Sequence, residues 1–408
     1  MLHHSPLRGS LTGLDVKQGT KAATLRLMFT ACAGLFTYGI VIALVGAILP
    51  ELQRSLHFGL EKAGLLQSIL FVGQVPTLLL VGPVIDRLGK KPVLVAGWAL
   101  FAFALFGIVF PSSYAWLATM LLLLGLGGSC LDGGSSTLIP DVYPANPSSS
   151  LNLGNLFFSL GAVFLPLLVL LTRRLGLGPI LVLLAALMAI LATRALFQKF
   201  PTARAAGGFD WREAQRVVLH PTVLMLAAVL FFYVALEVST AGWTRSYLER
   251  SFGATARSSS MVLTLFWASQ SVGRLVASRL LRVLRGGALV LLSAMVAVLG
   301  TSLVVLAPNA WVAAAGIAVC GLSYAPIFPT SVAAAGAQFP SLFGTVFGIL
   351  TASGFIGAVI LPVAIGVVAS ATTLRQGLGF LVAAAGLMLF AQAIYVRYGQ
   401  RRGLPILD

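Results

Sequence analysis

Charged side chains are what this sequence has least of. Only 9% of its 408 residues are Asp, Glu, Lys or Arg, where a soluble domain carries about a quarter. That shortage excludes a soluble enzyme and a disordered chain. Acid is scarcest: 11 Asp and Glu stand against 27 Lys and Arg, a formal net charge of +16. In a soluble protein such an excess would point to nucleic acid. Here too few residues are polar to build a basic surface, so no nucleic-acid partner is expected. Cysteine is limited to Cys32, Cys130 and Cys320, each inside an apolar run, with neither metal-ligand spacing nor a disulfide framework. Histidine is confined to His3, His4, His57 and His220, all in tails or loops, which leaves none for chemistry at membrane depth. No H-E-x-x-H, G-x-S-x-G or P-loop pattern occurs. A membrane enzyme and ATP use are therefore not indicated. No metal or cofactor is expected, apart from H+ or Na+ as a coupling ion.

What is abundant is apolar: 58% of the residues are hydrophobic. A helix that crosses a bilayer needs about 20 of them in a row. Candidates run over 27–50, 65–85, 92–110, 116–140, 151–171 and 179–196, then 223–248, 261–281, 288–307, 311–335, 345–370 and 378–395. This is an all-α membrane protein of twelve transmembrane helices in two six-helix, pseudo-symmetric halves. Residues 1–26 form a tail without a signal-peptide core, 27–196 the first bundle, 197–222 a polar linker, 223–395 the second bundle and 396–408 a second tail. Residues 198–216 can form an amphipathic surface helix.

The basic residues set the orientation. With the N-terminus cytoplasmic, 18 of the 27 fall on the cytoplasmic side, 8 outside (among them Arg54, Arg245 and Arg250), and Arg274 lies within the eighth span. The expectation is an inner-membrane protein with both termini cytoplasmic and the lipid bilayer as its environment.

The second span closes on Gly82-Pro83-Val84-Ile85-Asp86-Arg87-Leu88-Gly89-Lys90-Lys91. Gly82 permits close helix approach, Asp86 is an acid at the membrane edge that can meet a helix N-terminus or an Arg, Gly89 supplies a tight turn, and Lys90 and Lys91 hold the loop inside. The bland reading is a basic turn that orients a helix pair. The run also matches G-x-x-x-D-R-x-G-[RK]-[RK], and with twelve spans and a central linker the chain resembles the major facilitator superfamily. The resemblance implies that fold, and a gating latch made of Gly82, Asp86, Arg87, Gly89, Lys90 and Lys91. The matching stretch of the second half, Ser278-Arg279-Leu280-Leu281-Arg282, is degenerate.

Further runs narrow the likeness. Gly127 to Ser136 around Asp132, Leu151-Asn152-Leu153, Phe158-Ser159-Leu160-Gly161-Ala162, Tyr233 to Trp243 around Glu237, Gly273-Arg274 and Ala325 to Thr330 resemble elements of the sugar-porter branch related to fucose permease. That branch carries an acid shortly before the proline of its first span. Here the run Ala43 to Pro50 has none, so coupling would rest on Asp132 or Glu237.

Asp132, Glu237 and Arg274 are the ionisable residues placed well inside the spans. Each costs roughly 2.5–3.5 kcal/mol on insertion, so a coupling-ion or proton role is the default reading. The alternative for either acid is a structural ion pair with Arg274. Sugar recognition needs converging polar groups and aromatic faces, for which Tyr38, Gln74, Asn155, Tyr233, Trp267, Gln270 and Tyr324 are candidates. Interhelical hydrogen bonding for the amides, and packing or interface anchoring for the aromatics, are the bland alternatives. Trp116 and Trp311 begin spans and read as belt residues. Pro76, Pro166, Pro326, Pro329 and Pro362 are expected to kink their helices. The expected activity is secondary transport of a small polar solute, a monosaccharide first, by alternating access around a midplane site, in a monomer. The competing reading is a proton-coupled exporter of drugs or metabolites on the same fold. The exporter's G-P-x-x-G-G run is absent from the fifth span, where Gly161 to Leu168 stands.

Overall fold

A computed structural model describes residues 11–142, 147–170, 175–200, 218–339 and 343–402. The described residues are helical apart from short turns. The first half holds α1 (Leu11–Leu56), α2 (Leu60–Leu88), α3 (Lys90–Val109), α4 (Tyr114–Val142), α5 (Pro147–Val169) and α6 (Leu177–Phe197). The second holds α7 (Pro221–Phe252), α8 (Ala256–Leu280), α9 (Gly286–Leu306), α10 (Ala310–Tyr324), α11 (Ile327–Gln338), α12 (Phe343–Ala371), the short α13 (Leu374–Gly377) and α14 (Gly379–Arg402). Residues 201–217, which contain most of the expected surface helix, lie outside the described residues.

Ten helical segments among the described residues are long and apolar enough to cross a bilayer, with α10 and α11 counted as one segment and α13 and α14 as another. The two expected spans not among them are α5, whose apolar stretch is the shorter Gly154–Val169, and α8. Three consecutive serines, Gln270 and Arg274 dilute the apolar character of α8. The same two helices pack on each other across the halves.

Packing repeats between the halves. In the first, α1 lies on α5, α4 on α2 and α3, and α6 on α3; in the second, α7 lies on α12, α10 on α8 and α9, and α14 on α9. The halves meet through α2 on α12, α5 on α8 and α1 on α7. One end of the bundle carries the α1–α2 and α7–α8 turns and is called here the turn end. The other, where α6 ends and α7 begins, is the connector end. At the turn end the halves touch backbone to backbone. A Cβ on Gly366 of α12 would stand 2.7 Å from the Leu60 carbonyl of α2, and one on Gly46 of α1 would stand 2.7 Å from the Ala241 carbonyl of α7. Such approach needs glycine. Towards the connector end, α4 and α11 pack on helices of their own half.

Three local expectations change. Pro50 does not end the first span: α1 continues to Leu56, and at its other end it begins at Leu11, inside what was expected to be a tail. Proline lacks an N–H for the preceding turn and loosens it without necessarily breaking the helix. The carbonyl of Ala47, in that turn, receives a hydrogen bond from Arg245. The tenth span is not one helix: it breaks between Tyr324 and Ile327, where Pro326 again removes a donor. Gly82 is not a point of close approach, since a Cβ there would meet nothing within 4 Å; the last turns of α2 stand clear of the contact that its first turns make with α12. Gly89 does make the expected turn, with φ 81° and its N–H on the Ile85 carbonyl at 2.8 Å.

Candidate functional site

The middle of α7 carries Tyr233 and Glu237 one turn apart, and their spacing of four aligns them on one face. The Tyr233 hydroxyl donates to Oε1 of Glu237 at 2.7 Å, and Nε2 of Gln270 on α8 donates to the same oxygen. One turn further along α8, Arg274 donates through Nη1 to the Ser159 hydroxyl and, at 3.5 Å, to the Asn155 carbonyl, both on α5. Its guanidinium lies 5.7 Å from the centre of the Phe158 ring, within cation–π range. Its charge also acts on Glu237 and Tyr233. Among the described residues, however, no carboxylate oxygen lies within ion-pair distance of it: the ion pairs are those of Arg54 and Arg245. The expected alternative of a close structural pair between Arg274 and either acid is therefore not what the structure holds.

Aromatic rings tie this cluster to the first half. The Tyr38 ring on α1 lies tilted by 40° against Phe158, centroids 5.5 Å apart, and Phe158 meets Trp267 of α8 edge-on at 6.4 Å. The Tyr38 hydroxyl donates to Gln74 of α2 at 3.0 Å. Tyr324, at the end of α10, lies 6.3 Å from the Tyr233 ring, with its hydroxyl 3.3 Å from that of Thr240. Gln74, Trp267, Gln270 and Tyr324 are fully buried. Nε2 of Gln74, Nε1 of Trp267 and Oε1 of Gln270 nevertheless have no hydrogen-bond partner among the described residues. Buried polar atoms are rarely left so, and here two donors and an acceptor without partners lie around one aromatic junction between the halves.

Tyr38, Gln74, Tyr233, Glu237, Trp267, Gln270, Arg274 and Tyr324 thus come together. Asn155 joins them through its backbone carbonyl, and its side chain is exposed. Asp132 lies on α4 outside the hydrogen-bonded cluster, bonded to the Ser136 hydroxyl at 3.3 Å, and its charge acts on Tyr38. Of the serines that share its face, Ser129 donates to the Gln74 carbonyl, and a Cβ at Gly34 would strike Ser135, so these two serve helix packing. Of the expected latch residues, Gly82 and Gly89 are described above, Arg87 is exposed, and Lys90 and Lys91 open α3. The side chain of Asp86 lies outside those described. Among the described residues no group of three or more His, Cys, Asp or Glu could hold a metal ion.

Sequence reasoning missed a second charged cluster. Arg245, counted there with the outer loop charges, is wholly buried within α7. It donates to both oxygens of Glu51 on α1, at 2.8 and 2.9 Å, and to Glu249 one turn on, at 2.9 Å. Arg54 approaches Glu51 and Glu249 at 3.7 and 3.8 Å. The available signal was the Arg245–Glu249 spacing of four, with Arg245 between Trp243 and Tyr247, towards the end of an apolar helix. Phe158 was quoted for its motif but not as a site residue; one phenylalanine among 25 carries no mark of its position.

A family model described as the Major Facilitator Superfamily matches residues 31–362. The uncharacterised transporter YfkL of Bacillus subtilis is 25% identical over 355 residues, covering 83% of this chain and 89% of its own. Among solved structures, the nucleoside transporter NupG superposes with a TM-score of 0.74 at 15% identity, covering 92% of this chain and 99% of its own. The Escherichia coli fucose:proton symporter FucP superposes with 0.66 at 16% identity, covering 91% and 99%. At such identity these likenesses describe the fold.

Proposed function

The chain belongs to the Major Facilitator Superfamily, and on that premise we propose that it moves a monosaccharide-sized polar solute together with a proton. It is a multi-pass membrane transporter of the alternating-access type and not an enzyme. The observation that carries the finer reading is Glu237: an acid in the middle of a membrane helix, held by Tyr233 and Gln270 and bordered by the aromatic junction between the halves. An intramembrane acid at such a junction is suited to take and release a proton as the halves rock. The unpartnered amide and indole groups of Gln74, Trp267 and Gln270 supply what solute hydroxyls require. FucP is by its title a symporter of a sugar with a proton, and the nucleosides carried by NupG contain a ribose ring.

The basic residues place both termini and the connector end in the cytoplasm of an inner membrane, and the protein acts as a monomer. Asp132 on α4 is assigned to proton passage, and the loop of Gly82, Asp86, Arg87, Gly89, Lys90 and Lys91 to the latch. The test is uptake into proteoliposomes under an imposed pH gradient. Glu237→Gln should abolish accumulation against a gradient while the protein still exchanges solute between the two sides; undiminished accumulation overturns the coupling role. Asp86→Asn should slow uptake at unchanged half-saturating concentration, and a change confined to that concentration refutes the latch.

A further inference from the structure

Arg274 has a charge that the protein does not cover at close range. Its hydrogen bonds to α5 leave from Nη1 and end on neutral oxygens, those of Ser159 and Asn155, and on its own half it bonds the Tyr233 hydroxyl. A guanidinium presents five N–H donors in a planar fork suited to a carboxylate, and among the described residues none of its acceptors is a carboxylate. The acid nearest in the cluster, Glu237, has its Oε1 engaged by Tyr233 and Gln270 and lies beyond ion-pair distance. Arg274 is half-buried, lies against a ring, and stands where α8 faces α5 across the two halves. Its position therefore puts a cation on the solute's path.

We propose that Arg274 binds a carboxylate of the transported solute, so that the substrate is a small organic monoanion, a sugar acid rather than a neutral sugar. The proposal deepens the proposed function and rests on it: the site is the same, and the solute gains a charge. One guanidinium, with the Glu237 carboxyl close by, matches one negative charge. It does not match the nearly two charges of a phosphate ester. Phe158 and Trp267 then flank the sugar ring, and the unpartnered Nε2 of Gln74 and Nε1 of Trp267 take its hydroxyls or the second carboxylate oxygen.

The test is thermal unfolding of the purified full-length protein in detergent, because a ligand bound to the folded form raises Tm. The probes are sodium D-gluconate, sodium D-glucuronate, D-glucose, D-xylose and D-glucose 6-phosphate, with sodium chloride added to equal ionic strength. The expected result is a rise in Tm with at least one of the two acids and none with their neutral counterparts. Arg274→Gln, which keeps hydrogen-bonding capacity but not charge, should lose that response, and Arg274→Lys should keep part of it. A merely structural Arg274 would shift the baseline Tm and leave the preference for acid over neutral sugar intact. If Arg274→Gln does not fold, Arg274→Lys decides, since loss of the fork alone should lower apparent affinity for the acids by at least about tenfold, roughly 1.4 kcal/mol. Stabilisation by D-glucose or D-xylose that survives both substitutions overturns the carboxylate while sparing the sugar reading. A larger response to D-glucose 6-phosphate than to the acids overturns the monoanion. No response to any probe overturns both readings.

Discussion

Arg245 and Arg274 both reach from the second half of the molecule to the first, and their surroundings are opposite. Arg245, at the turn end, has no exposed surface and is met by two carboxylates and a backbone carbonyl. Arg274, nearer the connector end, is half-buried and bonded to a serine hydroxyl and a carbonyl. The difference lies in what each end must do. A buried cation is tolerable when its partners are fixed, and a fixed set of partners makes a seal between α1 and α7. A cation without an acid at contact distance leaves room for one to arrive and leave. One arginine closes the protein and the other is available to a ligand.

The comparison can be broken at several points. The largest effect is expected from Arg245→Met, which leaves Glu51 and Glu249 facing each other at a closed interface. Removing one partner from a buried ion pair costs about 3–5 kcal/mol, read as a lower Tm or a loss of folded yield. A variant as stable as the parent would show that the seal contributes nothing. Next comes Glu51→Gln, which keeps the shape but removes, among the described residues, the only carboxylate that pairs with Arg245 across the halves. A charged hydrogen bond contributes about 1.5–3 kcal/mol. Here the loss should appear chiefly as opening of the turn end. In a Gln67→Cys background, where the thiol would lie against Gly242 at the α2–α7 contact, maleimide labelling from the turn end should speed up when Glu51→Gln is added. Unchanged labelling would detach the ion pair from closure. Arg274→Gln also removes a charged donor, but one that is half-buried and meets only neutral acceptors, so it should cost no more than the low end of that range, about 1.5 kcal/mol, while removing solute binding. A loss as large as that of Arg245→Met would make the two arginines alike. The smallest effect belongs to Arg54→Ala. Its side chain is 66% exposed, and exposed pairs contribute about 0–1 kcal/mol; the change should vanish at high salt.

The helix count and the division into halves were legible in the sequence because a bilayer demands length and apolarity, and both are local properties of the chain. The polar residues that the structure brings together on α7 and α8 were legible for the same reason. Tyr233 and Glu237 lie a turn apart on α7, as Gln270 and Arg274 do on α8, and a polar group within an apolar helix stands out. Where the reading failed, the deciding fact lay elsewhere in the chain. Whether Pro50 ends a helix depends on what surrounds the loosened turn, and Arg245 sits there. Arg245 was counted with the outer charges although it falls inside the expected span 223–248, because it lies near the end of that span; an arginine with two acids at hand can be buried there. Asp132 and Glu237 look equivalent as sequence, yet one meets a serine on its own helix and the other is held between α7 and α8.

The polar character of α8 bears on how the protein is made. A segment with three serines in its second turn, an amide and an arginine gains little by entering lipid alone. Arg274 by itself subtracts roughly 2.5–3.5 kcal/mol from its insertion. The hydroxyl and carbonyl that receive this arginine are on α5, synthesised well before it. The first half is therefore expected to act as a template against which α8 enters the membrane. The first half expressed alone should integrate normally, whereas the second half alone should leave α8 stranded at the interface until the first is supplied in trans.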